Sequence, residues 1–111
     1  MPHYVLAIDL PDDPKLIAEY EDYHTKVWPE IISSIHACGI LRMEIFRFSN
    51  RMAMLIDTTD DFTFERKAEM DAANPMVQKW YGLMTPYQVA IPGTRPGERW
   101  VEMKKVFDTT I

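Results

Sequence analysis

Apolar and polar residues alternate from Tyr4 to Leu10, with Tyr4, Leu6, Ile8 and Leu10 on one face and Val5, Ala7 and Asp9 on the other. A period of two is that of a β-strand. The Pro11–Pro14 segment breaks it, placing Asp13 to cap a helix and Pro14 in the first turn. The period then lengthens. Leu16, Ile17, Tyr20, Tyr23, His24 and Val27 fall on one helical stripe, and Glu19, Glu21, Asp22 and Lys26 take the remaining surface. Pro29 interrupts this stripe before Glu30, Ile31, Ile32 and Ile35 resume one, which predicts a second helix opening near Trp28-Pro29 and closing at Gly39.

Ile40 to Phe48 predicts a strand with Leu41, Met43 and Ile45 on one face and Arg42, Glu44 and Phe46 on the other. Ser49-Asn50-Arg51 turns it into Met52–Asp57, apolar on both faces, so the pair predicts a hairpin whose second arm is the better buried. Asp60 or Asp61 is placed to cap a short helix through Phe62, Phe64 and Ala68, and Val77, Trp80, Tyr81 and Met84 stripe another after Asn74-Pro75. Residues 85–99 predict a loop, and Trp100 to Phe107 a closing strand with Val101, Met103 and Phe107 on one face. The order predicts an α+β fold, the ferredoxin-like split βαβ arrangement: a four-stranded antiparallel sheet with helices on one face, one domain over residues 1–111. The uncovered face keeps Val5, Ala7, Phe46 and apolar residues of the third strand. A second copy of the chain is its expected cover, giving a homodimer of the dimeric α/β-barrel type.

Composition removes several function classes. Net charge is −5, from 12 basic and 17 acidic residues. No basic run exceeds two residues, which argues against nucleic acid as a partner. The lone Cys38 can form neither an internal disulfide nor a thiolate metal site. No apolar run approaches the ~20 residues that span a bilayer, and the N-terminus lacks the basic start of a signal peptide. The expectation is a cytoplasmic protein with no membrane partner.

The candidate chemistry is concentrated on two helices. His24 lies one turn beyond Tyr20, so imidazole and phenol open into the same space. An imidazole with an ordinary pKa near ~6.5 can move protons at neutral pH. The bland alternative is a core histidine satisfied by a backbone carbonyl. Trp80 and Tyr81 can stack on the apolar face of a sugar and bond its hydroxyls, although a Trp/Tyr pair at helical spacing is also what a plain core looks like. His3, His24 and His36 do not fall at metal-ligand spacing, and no phosphate loop, nucleophile elbow or catalytic cysteine signature occurs. The expectation is no metal and no cofactor.

The segment Tyr20-Glu-Asp-Tyr-His24 followed by Trp28-Pro29-Glu30, then Gly39, the Ile45 strand, Trp80-Tyr81 and Val106-Phe107, resembles the L-rhamnose mutarotase family over nearly the whole chain. Gly39-Ile-Leu-Arg-Met-Glu-Ile, Asp71-Ala-Ala-Asn-Pro and Pro96-Gly-Glu-Arg-Trp look more like its L-fucose branch. The resemblance implies a cofactor-free ferredoxin-like dimer that interconverts the α and β anomers of a 6-deoxyhexose, L-fucose first and L-rhamnose second. It implies His24 as the catalytic residue and Tyr20, Trp80 and Tyr81 as sugar-binding residues. Met43 stands where rhamnose enzymes present a sugar-contacting Tyr, which sets rhamnose itself at a disadvantage. Two alternatives differ in chemistry. One is a dimeric-barrel monooxygenase, cofactor-free or holding haem on His24; the other is a small-ligand module without catalysis.

Overall fold

Proline and small polar residues decide where each helix begins. In the computed structural model, which describes residues 2–110, strand β1 (His3–Asp9) leads to helix α1 (Pro14–Tyr23), and Asp13 caps it by accepting from the Lys15 backbone N–H at 2.9 Å. Helix α2 (Pro29–Ala37) starts on Pro29 because proline fixes φ and disfavours helical backbone just before it, and Trp28 is extended there. That break also ends α1 at Tyr23, with His24 as its C-cap, so Val27 packs on the core from the connector rather than from the helix. Cys38 closes α2, and Gly39 turns the chain at φ +102°, where a Cβ would meet Thr59 Oγ1 at 2.8 Å.

Strands β2 (Ile40–Phe48) and β3 (Arg51–Thr58) follow, then helices α3 (Phe64–Ala72) and α4 (Pro75–Met84), a 3-10 turn at Thr85–Tyr87, and strand β4 (Val101–Glu102). The strands form one antiparallel sheet in the order β2-β3-β1-β4. Its register aligns Tyr4, Leu6 and Ile8 with Ile56, Met54 and Met52, and these in turn with Met43, Ile45 and Arg47 of β2. Leu6 and Ile8 are buried beneath the helices, as the alternation predicts. Removing a side chain as enclosed as Ile8 by mutation to Ala costs about 2–5 kcal/mol. The second hairpin arm is the better buried because β3 lies inside the sheet and β2 at its edge.

Three expectations need correcting. Leu41 does not share a face with Met43 and Ile45. A bulge between Ile40 and Arg42 shifts the register, so Ile40 enters the core while Leu41 is about half exposed. Thr63, not Asp60 or Asp61, caps α3 by accepting from the Arg66 N–H, and Asp61 instead accepts from the Thr59 hydroxyl at 2.7 Å. The closing strand pairs only at Val101 and Glu102, with one further bond from the Met103 N–H to the Val5 carbonyl. Beyond it Val106 and Phe107 stand in solvent, where no neighbouring strand offers them a ladder. On the face away from the helices Phe46, Phe48 and Leu55 are exposed, whereas Ala7, flanked by Ala53 and Val101, is buried.

Candidate active site

Between the helices and the inner face of the sheet lies a cavity of about 530 Å³, within the ~300–1,000 Å³ usual for small-molecule sites. Tyr20, His24, Met43, Trp80 and Tyr81 all line it. The last turn of α1 brings in Tyr20 and His24, β2 contributes Met43 and Ile45, and α4 contributes Trp80 and Tyr81. A shallower hollow of about 390 Å³ lies between α1 and β2 and shares Tyr20 and His24, so these two residues border both spaces. Its outer rim carries the Arg47–Glu21 ion pair.

The His24 ring is held by one hydrogen bond, Nδ1–H to the Tyr20 carbonyl oxygen at 2.8 Å. A carbonyl oxygen only accepts, so Nδ1 must carry a proton whether the ring is neutral or cationic. Nε2 is therefore the nitrogen that gains or loses one. The bland alternative anticipated such a carbonyl, but the carbonyl accounts for one nitrogen, and the half-buried ring borders open space. The Tyr20 ring lies 4.5 Å away at 30°, and Trp80 meets the imidazole edge-on at 5.6 Å. Trp28 braces Trp80 from a centroid distance of 5.2 Å, which gives this residue a packing role.

Tyr20 is buried, and burial pushes its phenol above the ordinary value against a hydrogen bond from the Gln88 side chain that pulls it down. The hydroxyl thus stays protonated at neutral pH and serves as a hydrogen-bonding group. Met43 supplies apolar wall without a hydrogen-bonding group comparable to a phenol.

A further polar part of the cavity joins Tyr81 to Lys67 and Asp71, two residues to which sequence reasoning assigned no role. Asp71 is buried on α3 and accepts from Lys67 Nζ at 2.5 Å and from the Tyr81 hydroxyl at 2.7 Å, both at Oδ2. Lys67 also donates to the Tyr81 hydroxyl at 3.2 Å, closing a three-membered network across α3 and α4. Burial pulls the Lys67 ammonium down, but Tyr81 and Asp71 outweigh it and leave the net shift upward. Burial pushes the Tyr81 phenol up, assisted by Asp71 against the pull of Lys67. The missed signal was local: Lys67 and Asp71 are four apart, interleaved with Phe64 and Ala68 on one helical face.

Elsewhere the chemistry is quiet. His36 Nδ1 donates to the Ile40 carbonyl at 3.0 Å, and neither it nor His3 lines the cavity. Among the described residues no three His, Cys, Asp or Glu side chains converge as a metal-binding group. Cys38 is buried, donates to the Ile35 carbonyl, and has its thiol pushed up by burial, which leaves it little thiolate.

Comparison with known proteins places the chain in a family. The chain is 43% identical over 103 residues to an L-fucose mutarotase of Xanthomonas campestris pv. campestris, covering 91% of this chain and 82% of the relative. Its fold is similar to that of an L-rhamnose mutarotase from Formosa agariphila, with a TM-score of 0.71 at 19% identity over 97% of this chain and 98% of that one. A tetracenomycin F2 cyclase from Streptomyces glaucescens shares the architecture with a TM-score of 0.60 at 15% identity, over 97% of this chain and 98% of that one. The fold alone therefore does not select the chemistry. Sequence does: a family model described as L-rhamnose mutarotase matches residues 3–109, and the chain belongs to that family.

Proposed function

We propose that the protein is a mutarotase, interconverting the α and β anomers of a 6-deoxyhexose by acid/base ring opening, with L-fucose its first substrate and L-rhamnose its second. The observation that carries this reading is the tether of His24 Nδ1 to the Tyr20 carbonyl beside a cavity large enough to admit a monosaccharide. Likeness to the Xanthomonas L-fucose mutarotase supports the order of the two sugars.

Anomer exchange needs one proton to leave O1 and one to reach the ring oxygen, while the C1–O5 bond breaks and a C1=O1 carbonyl forms. Rotation about C1–C2 presents the other carbonyl face, and ring closure runs the same transfers backwards. His24, as imidazolium, donates from Nε2 to the ring oxygen during opening, and the resulting neutral Nε2 takes a proton back during closure. Nδ1 keeps its carbonyl partner throughout, so the ring need not turn between half-reactions. The proton from O1 passes to solvent or through the Tyr20 hydroxyl, which also orients a sugar hydroxyl. Trp80 covers the apolar face of the sugar near its 6-methyl, and Tyr81 bonds a hydroxyl. Positioned acid/base transfer of this kind contributes about 10²–10⁴-fold.

The working form is a homodimer in the cytoplasm, in which a second copy covers Phe46, Phe48 and Leu55 on the open face of the sheet. Exchange NMR on L-fucose and L-rhamnose tests the activity. Accelerated α/β exchange is expected, and binding without acceleration would leave a sugar-binding module instead. Sizing should give about twice the chain mass of 13.0 kDa, and a stable monomer would remove the dimer.

A further inference from the structure

Asp71 holds two bonds on a single oxygen, since Lys67 Nζ and the Tyr81 hydroxyl both donate to Oδ2. Among the described residues no hydrogen bond reaches Oδ1, yet none of their side-chain oxygens or nitrogens is both fully buried and unpartnered. Oδ1 therefore keeps accessible surface on a residue that lines the cavity. Lys67 carries three N–H donors and uses two, on Asp71 and Tyr81. One acceptor and one donor capacity are thus left unused on two residues that line the cavity and are bonded to each other. The facing wall offers neither, being built from Met43, Ile45, Met54 and Ile56.

We infer that Lys67 and Asp71 read a pair of adjacent sugar hydroxyls, one donating to Asp71 Oδ1 and its neighbour accepting from Lys67 Nζ, and so decide which 6-deoxyhexose is accepted. The inference rests on the mutarotase reading and adds to it the residues that set substrate choice. Tyr81 pins the pair from α4, so donor and acceptor keep a fixed spacing. A fixed pair distinguishes hydroxyl configurations, because a sugar that misplaces either group leaves a buried polar atom unsatisfied. The pair is also internally neutralised. Its unused donor and acceptor therefore suit neutral hydroxyl groups.

The test compares the wild type with Asp71→Asn and with the charge-free pair Lys67→Gln/Asp71→Asn. Each is measured by α/β exchange NMR and by quenching of tryptophan fluorescence, using L-fucose, L-rhamnose and deoxy analogues of the preferred sugar lacking one hydroxyl each. The wild type is expected to discriminate between the two sugars and to lose at least tenfold in kcat/KM on one deoxy analogue. Asp71→Asn should raise KM for the preferred sugar about tenfold with kcat little changed, and bring the two sugars within about threefold of each other. If Asp71→Asn fails to fold, the charge-free pair carries the same expectation without a stranded charge. An unchanged sugar ratio in a folded variant, or an equal loss on both sugars, would overturn the inference while leaving mutarotation standing. A wild type that neither binds nor accelerates any of these sugars would overturn both.

Discussion

In one part of the cavity lining an imidazole stands against aromatic rings with a single hydrogen bond; in another an ammonium, a carboxylate and a phenol satisfy one another. The first arrangement leaves a nitrogen able to change its protonation state. In the second, the upward shifts of Lys67 and Tyr81 keep both groups protonated at neutral pH. A proton-transfer group must be able to change charge during turnover, whereas a recognition group works best if it does not. On the proposed function, the contrast divides the cavity between a reactive end and a selective one, anchored on different helices.

His24→Ala tests the division most severely. Exchange should fall by about 10²–10⁴-fold while the circular dichroism melting curve stays close to that of the wild type, and a folded variant that still exchanges anomers would abolish the reactive end. Tyr20→Phe should have a smaller effect, about tenfold in kcat/KM on both sugars alike, because it removes a hydroxyl at the reactive end. A change in the sugar ratio there would blur the boundary between the two ends. Met43→Tyr should do the reverse, shifting the L-rhamnose to L-fucose ratio by about three- to tenfold in competitive exchange measurements. An unaltered ratio would mean that β2 takes no part in selection.

The mildest effect concerns alkaline pH. Lys67 and Tyr81 ordinarily titrate at 10.5 and 10.0, and both are shifted upward in the fold. A raised value means the unfolded chain gives up its proton first. The associated stability is complete below the ordinary values and is lost as pH rises through the folded ones. Melting temperatures scanned upward from about pH 9 should begin to fall near pH 10, and Lys67→Met/Tyr81→Phe, which removes both titrating groups, should flatten that fall. A profile identical in both proteins would show that the selective end contributes nothing to the pH response.

That Tyr20 and His24 share one space was readable in the sequence because both sit on an apolar stripe, and a polar ring on such a stripe stands out. Of the Lys67–Asp71–Tyr81 network only Tyr81 was legible, because α3 is rich in charge and looks like a solvated surface helix. Only its packing against α4 turns Lys67 and Asp71 inward. Strand faces were readable wherever the period of two held, and failed at Leu41 because a bulge inserts a residue that alternation cannot register. The run to Phe107 looked like strand because extended apolar sequence favours pairing, but pairing needs a neighbour, and β1 supplies one only as far as Met103.

The acceptor that aims the imidazole belongs to the main chain, not to a side chain. No substitution at position 20 that preserves the helix can delete it. Replacing the phenol by phenyl removes the hydroxyl and its proposed role but leaves this acceptor, so the imidazole keeps its bearing. On the proposed mechanism, such a scaffold can have its lining rebuilt one residue at a time without disturbing the acceptor that orients the imidazole.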